Sequence, residues 1–289
     1  MTVDWDALSA RASMASHRLI GWIYWDPYGV EAYEALGLPS GGTYYINTRC
    51  APLADAGPQV VAAACYSILP AFIEASMGLV AGRTTFDELR QLRDAAVARG
   101  LREYVPEICD GLAELAAPLW SVADALPLSG RPMFAAHRQS PRPDDGALSG
   151  WLAVNCIREW RGDTHFAVLL AADVSAVQAG ILHNAYLNYP PEWIPRSRGA
   201  DDVSLAAAMT DLEERGLASD GVVSETGRQL REDIETQTDH LCRRPWQLLG
   251  SERTEQLLAL VEPVGDRLLA RINDTAGTEW MPAARTRRT

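Results

Sequence analysis

The sequence predicts an all-α chain with a minimal β-wing. Two observations carry that reading. Apolar residues recur at three and four spacing through most of the chain, the period of a helix with one buried face. Strand signals are few and short, the clearest being Asp220-Gly221, the favoured pair for a two-residue hairpin turn, between Leu217–Ser219 and Val222–Val223.

In chain order the periodicity marks helices over Val60 to Met77, Asp87 to Arg99, Cys109 to Leu126 and Leu148 to Trp160. It marks others over Thr164 to Ala172, Ser175 to Leu187, Ser204 to Arg215, Thr226 to Arg243 and Glu252 to Ile272, with Pro and Gly between them. Gly162 fits the end of one helix and Asp163 the N-cap of the next. Asp202 or Ser204 caps the helix that follows, which buries Leu205, Met209 and Leu212 and turns Ala207, Ala208, Asp211 and Glu214 outward. Ser224 caps the helix after the hairpin, and Glu225 suits its positive end.

A worn duplication runs through this pattern. Arg99-Gly100-Leu101 matches Arg215-Gly216-Leu217, and Gly111 matches Gly227 at the same offset. Both copies then run into a long helix and an Arg-Pro pair, Arg131-Pro132 and Arg244-Pro245. The stretch from Gly130 to Gly150, rich in Pro, Gly, Asp and Arg, marks the boundary. The expected organisation is a helical module over 1–135, a second over 147–275, and a flexible tail over 276–289.

The segment from Leu205 to Asp239 resembles the reading helix, wing and closing helix of MarR-type winged-helix regulators. A wider pattern covers about Leu19 to Leu269. It includes E-E-R-G-L, D-G-V-V-S-E-T-G-R, I-E-T-Q-T-D-H-L and R-P-W, with R-C-A-P-L-A-D-A-G-P at Arg49 and R-E-W-R-G-D-T-H at Arg158. It looks like an actinobacterial family known by its helix-turn-helix. The resemblance implies a clear C-terminal winged-helix module, a degenerate N-terminal one, and a pseudo-dimer of the two within one chain. It also implies DNA binding.

Charge argues against that implication. A DNA-binding surface neutralises phosphates with Arg or Lys. Between Arg196 and Asp233 stand five Arg and nine Asp or Glu, a net charge of −4. The outward face of the reading helix offers no Arg, Lys, Asn or Gln for base edges, and the wing tip is acidic. The remaining candidates for a DNA contact are Arg196, Arg198, Arg228 and the Arg-rich end ARTRRT.

The whole chain agrees with this. Its formal net charge is −12 and its pI about 4.9, so nucleic acid and anionic membranes are disfavoured as general partners. All 26 basic residues are Arg. The missing primary amine excludes Schiff-base catalysis, lysine-held PLP and the P-loop lysine. The five Cys show no C-x-x-C or His/Cys spacing, so no structural metal is expected, and no cofactor fingerprint occurs. Reduced thiols, no membrane-spanning run and a start unlike a signal peptide predict a cytoplasmic protein. The oligomeric state is left open.

Candidate chemistry gathers at Arg158-Glu159-Trp160-Arg161-Gly162-Asp163-Thr164-His165. One reading is a capped helix corner with an arginine pairing an acid. The other is a pocket wall, with Arg161 or Arg158 holding an anionic oxygen while His165 and Asp163 serve acid-base chemistry. Further ligand-binding candidates are Trp25 and Tyr45 in the aromatic-rich N-terminal region, Arg49 as its charge, and His137 as a lip over an inter-module cavity. His183 reads as a core histidine, and His17 and His240 carry no signal. The expected function is binding of a small apolar or anionic ligand, with or without catalysis. The alternative is a ligand-responsive transcriptional regulator.

Overall fold

The computed structural model describes residues 2–286, and side-chain caps open most of the longer helices. Asp4 accepts the N–H of Ala7 and starts α1 (Trp5–Gly21). A 3-10 turn, Trp22–Trp25, leads to α2 (Pro27–Ala35), capped by Asp26. Three short helices follow: α3 (Gly42–Cys50), α4 (Pro58–Cys65) and α5 (Pro70–Gly78), the last two opened by a proline whose missing N–H costs nothing there. Thr85 caps α6 (Phe86–Tyr104), and α7 (Cys109–Ala125) and α8 (Pro132–Arg138) come next. Asp145 caps the long α9 (Gly146–Ala171).

Ser175 and Gln178 form a capping box at the start of α10 (Ala176–Leu187), and a single turn, α11 (Trp193–Ser197), follows. Then come α12 (Asp202–Glu214), the strands β1 (Ala218–Ser219) and β2 (Val222–Val223), and α13 (Glu225–Leu241), capped by Ser224. The strands are antiparallel, Ala218 opposite Val223. Asp220 and Gly221 both take positive φ, +51° and +76°, as the tight hairpin turn requires. The chain closes through α14 (Arg243–Leu249) and α15 (Ser251–Ala276). The protein is thus almost wholly helical, with one two-stranded sheet.

One large core joins α1, α7, α9 and α15 through Leu19, Leu112, Trp151, Leu258 and Ile272. The Trp151 indole N–H donates to the Leu19 carbonyl at 3.0 Å, so even the polar atom of this buried ring is satisfied. A second core lies under the hairpin, where Val168, Leu182, Leu212 and Ile234 meet. Among the described residues no single helix is long and apolar enough to cross a membrane.

Several expectations are corrected. Gly162 and Asp163 do not break the chain, because α9 runs through both without interruption. Asp163 does cap a helix, but a different one: its carboxylate accepts the Phe134 N–H at 2.9 Å, in the first turn of α8. The cap of α12 is Asp201, boxed with Ser204. Its buried stripe takes in Ala208, while Met209 is half-buried. The predicted helix from Val60 to Met77 is two, α4 and α5, divided before Pro70. Periodicity did not mark α1, since its buried face alternates apolar residues with Ser9, Ser13 and Ser16. The expected flexible tail folds back as far as it is described: Met281 and Ala284 are buried in the main core. Arg287, Arg288 and Thr289 lie outside the described residues.

The contact of α7 with α9 depends on Gly150, where a Cβ would stand 2.2 Å from the Leu112 carbonyl oxygen. Gly150→Ala is therefore expected to destabilise the protein by about 1–3 kcal/mol, as overpacking of a core does. Urea unfolding checks this; an unchanged midpoint would mean that the two helices part freely.

Candidate functional site

Stripes of four helices face a common cavity of about 500 Å³. From α1 come Ser13, Met14 and His17; from α9, Arg158, Arg161, His165 and Phe166; from α10, His183, Tyr186 and Leu187; from α13, Arg231, Glu235 and Asp239. Steps of three and four residues put each set on one helix face. Trp25, Tyr45 and Arg49 close one side, Phe72 and Arg198 another, and Trp193 and Trp280 a third. The aromatic rings touch in series: Tyr45 stacks on Trp25, Trp25 lies 5.4 Å from Trp280, and Trp280 lies 4.9 Å from Trp193.

At one end Glu159, fully buried, is gripped by two arginines. Arg49 donates from Nε at 3.0 Å and from Nη2 at 2.8 Å, a bidentate clasp. Arg158 donates to the same carboxylate, to the Tyr24 hydroxyl at 2.7 Å and to Asn155 at 3.1 Å. Burial alone would push the Glu159 carboxyl up, but the charges of Arg158 and Arg49 hold it below its ordinary range. A Cβ at Gly162 would meet Glu159 Oε2 at 3.5 Å and Arg49 Nη2 at 3.6 Å, both ordinary contact distances. Tyr45 accepts a further N–H from Arg49 at 3.3 Å.

At the other end Arg161 binds both Glu235 and Asp239, and Arg231 binds Glu235 at 2.7 Å. His165 Nδ1 lies 3.0 Å from the Thr238 hydroxyl, which already donates its proton to the Ile234 carbonyl at 2.7 Å. His165 must therefore donate from Nδ1, and its Nε2 carries the free lone pair. Burial, helped by Arg231 and Arg161 against the pull of Glu235, pushes this imidazole down to about 3. His17 and His183 are held neutral in the same way, first by burial and then by nearby arginines.

Of the eight residues singled out from the sequence, six line this cavity: Trp25, Tyr45, Arg49, Arg158, Arg161 and His165. His137 and Asp163 do not. His137 is no surface lip, because it is buried in α8 behind Arg49, with Nε2 3.0 Å from the Arg49 carbonyl and Nδ1 3.3 Å from Asn155. Asp163 points to the start of α8, as described above. Both hold the cavity's arginines and helices in place without reaching its wall.

Sequence reasoning missed His17, His183, Arg231, Glu235 and Asp239, and it read Arg198 as a DNA contact. A signal was present: Arg231, Glu235 and Asp239 repeat every four residues, a polar stripe down one face of a helix. Among the described residues no group of three or more His, Cys, Asp or Glu is placed to hold a metal ion. Cys50 and Cys65, far apart in sequence, lie with their sulfurs 3.5 Å apart in a separate buried cluster.

The profile of a helix-turn-helix family matches residues 9–275. No curated protein and no solved structure matches the chain.

Asp163 gives a test of the packing behind the site. Burial pushes its carboxyl up to about 7, even against the N–H of Phe134. The folded protein thus holds a proton that the unfolded chain releases near pH 4. That contribution is full below pH 4 and is lost as pH rises through 7. Asp163→Asn keeps an acceptor for Phe134 and carries no charge. It is expected to gain stability over the parent from pH 4 to pH 8, by at least ~1 kcal/mol. Urea unfolding at several pH values checks this; a constant difference would mean that the carboxyl is ionised throughout.

Proposed function

The chain belongs to the helix-turn-helix family, and from that premise we propose that this scaffold serves small-molecule binding and not the reading of DNA. One observation carries the proposal. In a chain of net charge −12, six arginines line the cavity: Arg49, Arg158, Arg161, Arg198, Arg231 and Arg285. Among the described residues the acids on the wall are Glu235 and Asp239, paired with Arg161 and Arg231, and Glu159 lies just behind, paired with Arg49 and Arg158. Positive charge is concentrated inside, where a small anion fits and a duplex does not.

The outer surface supports the same reading. On α12 the exposed side chains include Val203, Ala206, Ala207, Asp211, Glu213 and Glu214, none of which donates to a base edge or phosphate. Every arginine between 196 and 233 has other work. Arg196 pairs with Glu192 and Asp202. Arg215 donates to the Ala172 and Asp173 carbonyls, and Arg228 to that of Ala185. Arg198 and Arg231 face the cavity. Volume fits as well, since sites for small organic ligands run from about 300 to 1,000 Å³.

His165, with its imidazole near 3, acts in this reading as a hydrogen-bond acceptor through Nε2 and not as a proton carrier at neutral pH. Trp25, Tyr45, Arg49, Arg158 and Arg161 serve as further ligand contacts.

The tandem arrangement belongs to the same proposal. In one half α7, α8 and α9 have 17, 7 and 26 residues; in the other α13, α14 and α15 have 17, 7 and 26. Gly111 and Gly227 are each the third residue of the 17-residue helix. This match in order and length supports two diverged copies within one chain, a pseudo-dimer in which the hairpin belongs to the second copy.

A mobility-shift assay at low salt, with mixed-sequence duplex, is expected to show no retardation; a sequence-selective shift would return the protein to the regulators. A thermal-shift screen of small organic acids and neutral aromatics is expected to find a stabilising ligand. At a hundredfold its dissociation constant it adds about 2.7 kcal/mol. His165→Ala is expected to melt like the parent and to lose most of that shift; an undiminished shift would remove His165 from the site.

A further inference from the structure

Within the small-molecule reading above, on which this inference rests, we infer that the ligand is a single amphipathic organic anion. Its carboxylate, sulfonate or phosphate head is held by Arg198, and its ring or hydrocarbon body lies among the aromatic side chains that line the cavity, Trp25, Phe72, Trp193 and Trp280.

The argument begins with the cavity's charges. Arg49 and Arg158 share Glu159, while Arg161 and Arg231 share Glu235 and Asp239. Each acid at the cavity is therefore already bound. Arg198 makes no ion pair and no side-chain hydrogen bond with any described residue. A guanidinium turned into a partly enclosed, low-dielectric space without a partner is costly. Burial, with Arg231 and Arg49 nearby, lowers its pKa to about 10, where it still carries its charge at neutral pH. The structure builds a cation, and no described residue supplies an anion for it.

A second observation points to the same place. Arg231 is 6% exposed, and its Nη2 is taken by Glu235. Its Nη1 is buried without a hydrogen-bond partner. Arg198 and Arg231 both lie within electrostatic reach of the neutral imidazoles of His165 and His183. The backbone keeps Arg198 there: its carbonyl accepts the Leu69 N–H at 3.0 Å, and its own N–H goes to Pro195 at 3.1 Å. At Gly199, next in the chain, an added Cβ would stand 3.4 Å from the Cβ atoms of Leu69 and Phe72, so the backbone here runs close to both. The anchor is thus tied to the apolar wall beside it, so head and body sites belong to one ligand.

The pair of dyes 8-anilinonaphthalene-1-sulfonate and N-phenyl-1-naphthylamine separates head from body, since they share a ring system and differ by the sulfonate. Titration of the full chain by fluorescence is expected to give one saturable site for each. Arg198→Gln is expected to weaken the sulfonate dye at least tenfold and the neutral dye less than twofold, with a melting temperature equal to the parent's or higher. Equal weakening of both dyes, or none, would overturn the anchor and leave the cavity reading standing. A lowered melting temperature would overturn it too, making Arg198 a structural residue. If the parent protein binds neither dye, the small-molecule reading itself falls, and the inference with it.

Discussion

The buried carboxylate of Glu159 organises this molecule. A lone ionised acid in a protein interior is prohibitively costly, and breaking a buried ion pair costs roughly 3–5 kcal/mol. Here Arg49 from α3 and Arg158 from α9 both close on it. Behind them Asn155 fixes Arg158, and His137 fixes the Arg49 backbone. The triad ties the N-terminal helices to α9, one of the two 26-residue helices of the core. It also leaves one positive charge in excess at the cavity's end. A structural necessity, the neutralisation of Glu159, thereby sets the electrostatic character of the site.

The same logic appears in mirror image around α13. Arg161 and Arg231 share two carboxylates, Glu235, held below its ordinary range by both arginines, and Asp239, which burial pushes up against the pull of Arg161. Arg198 then adds a cation with no internal acid. The hairpin region thus turns Arg198 and Arg231 inward, while Arg196 and Arg215 stay outside and α12 presents acids to the surface. In the proposed reading, this distribution suits a ligand small enough to enter the cavity. DNA binding by the same elements would need the opposite distribution.

How much of this was legible depended on the range of the interactions. Local chemistry read well: the Asp220-Gly221 turn, the Ser224 cap and the long amphipathic helices each follow from residues within four positions. The polar cluster from Arg158 to His165 stands out in the sequence as the densest group of polar residues between apolar helical segments. Long-range partners were not readable. Asp163 looked like the cap of its own helix because Gly162 preceded it, yet its acceptor serves α8, 29 residues back. Arg198 reads from sequence as a phosphate contact because it lies just upstream of the reading helix, but at the end of α11 its side chain lines the cavity. His183 looked like core because its helix is apolar on every side, and only the packing of α10 against α13 shows that its face borders open space.

The most direct measurement of the central claim is a crystal structure of the protein with 8-anilinonaphthalene-1-sulfonate. The sulfonate is expected within hydrogen-bond distance of the Arg198 guanidinium, with the rings against Trp193 and Trp280. A dye seated on the outer face of α12, or in the cavity with its sulfonate turned away from Arg198, would contradict the account.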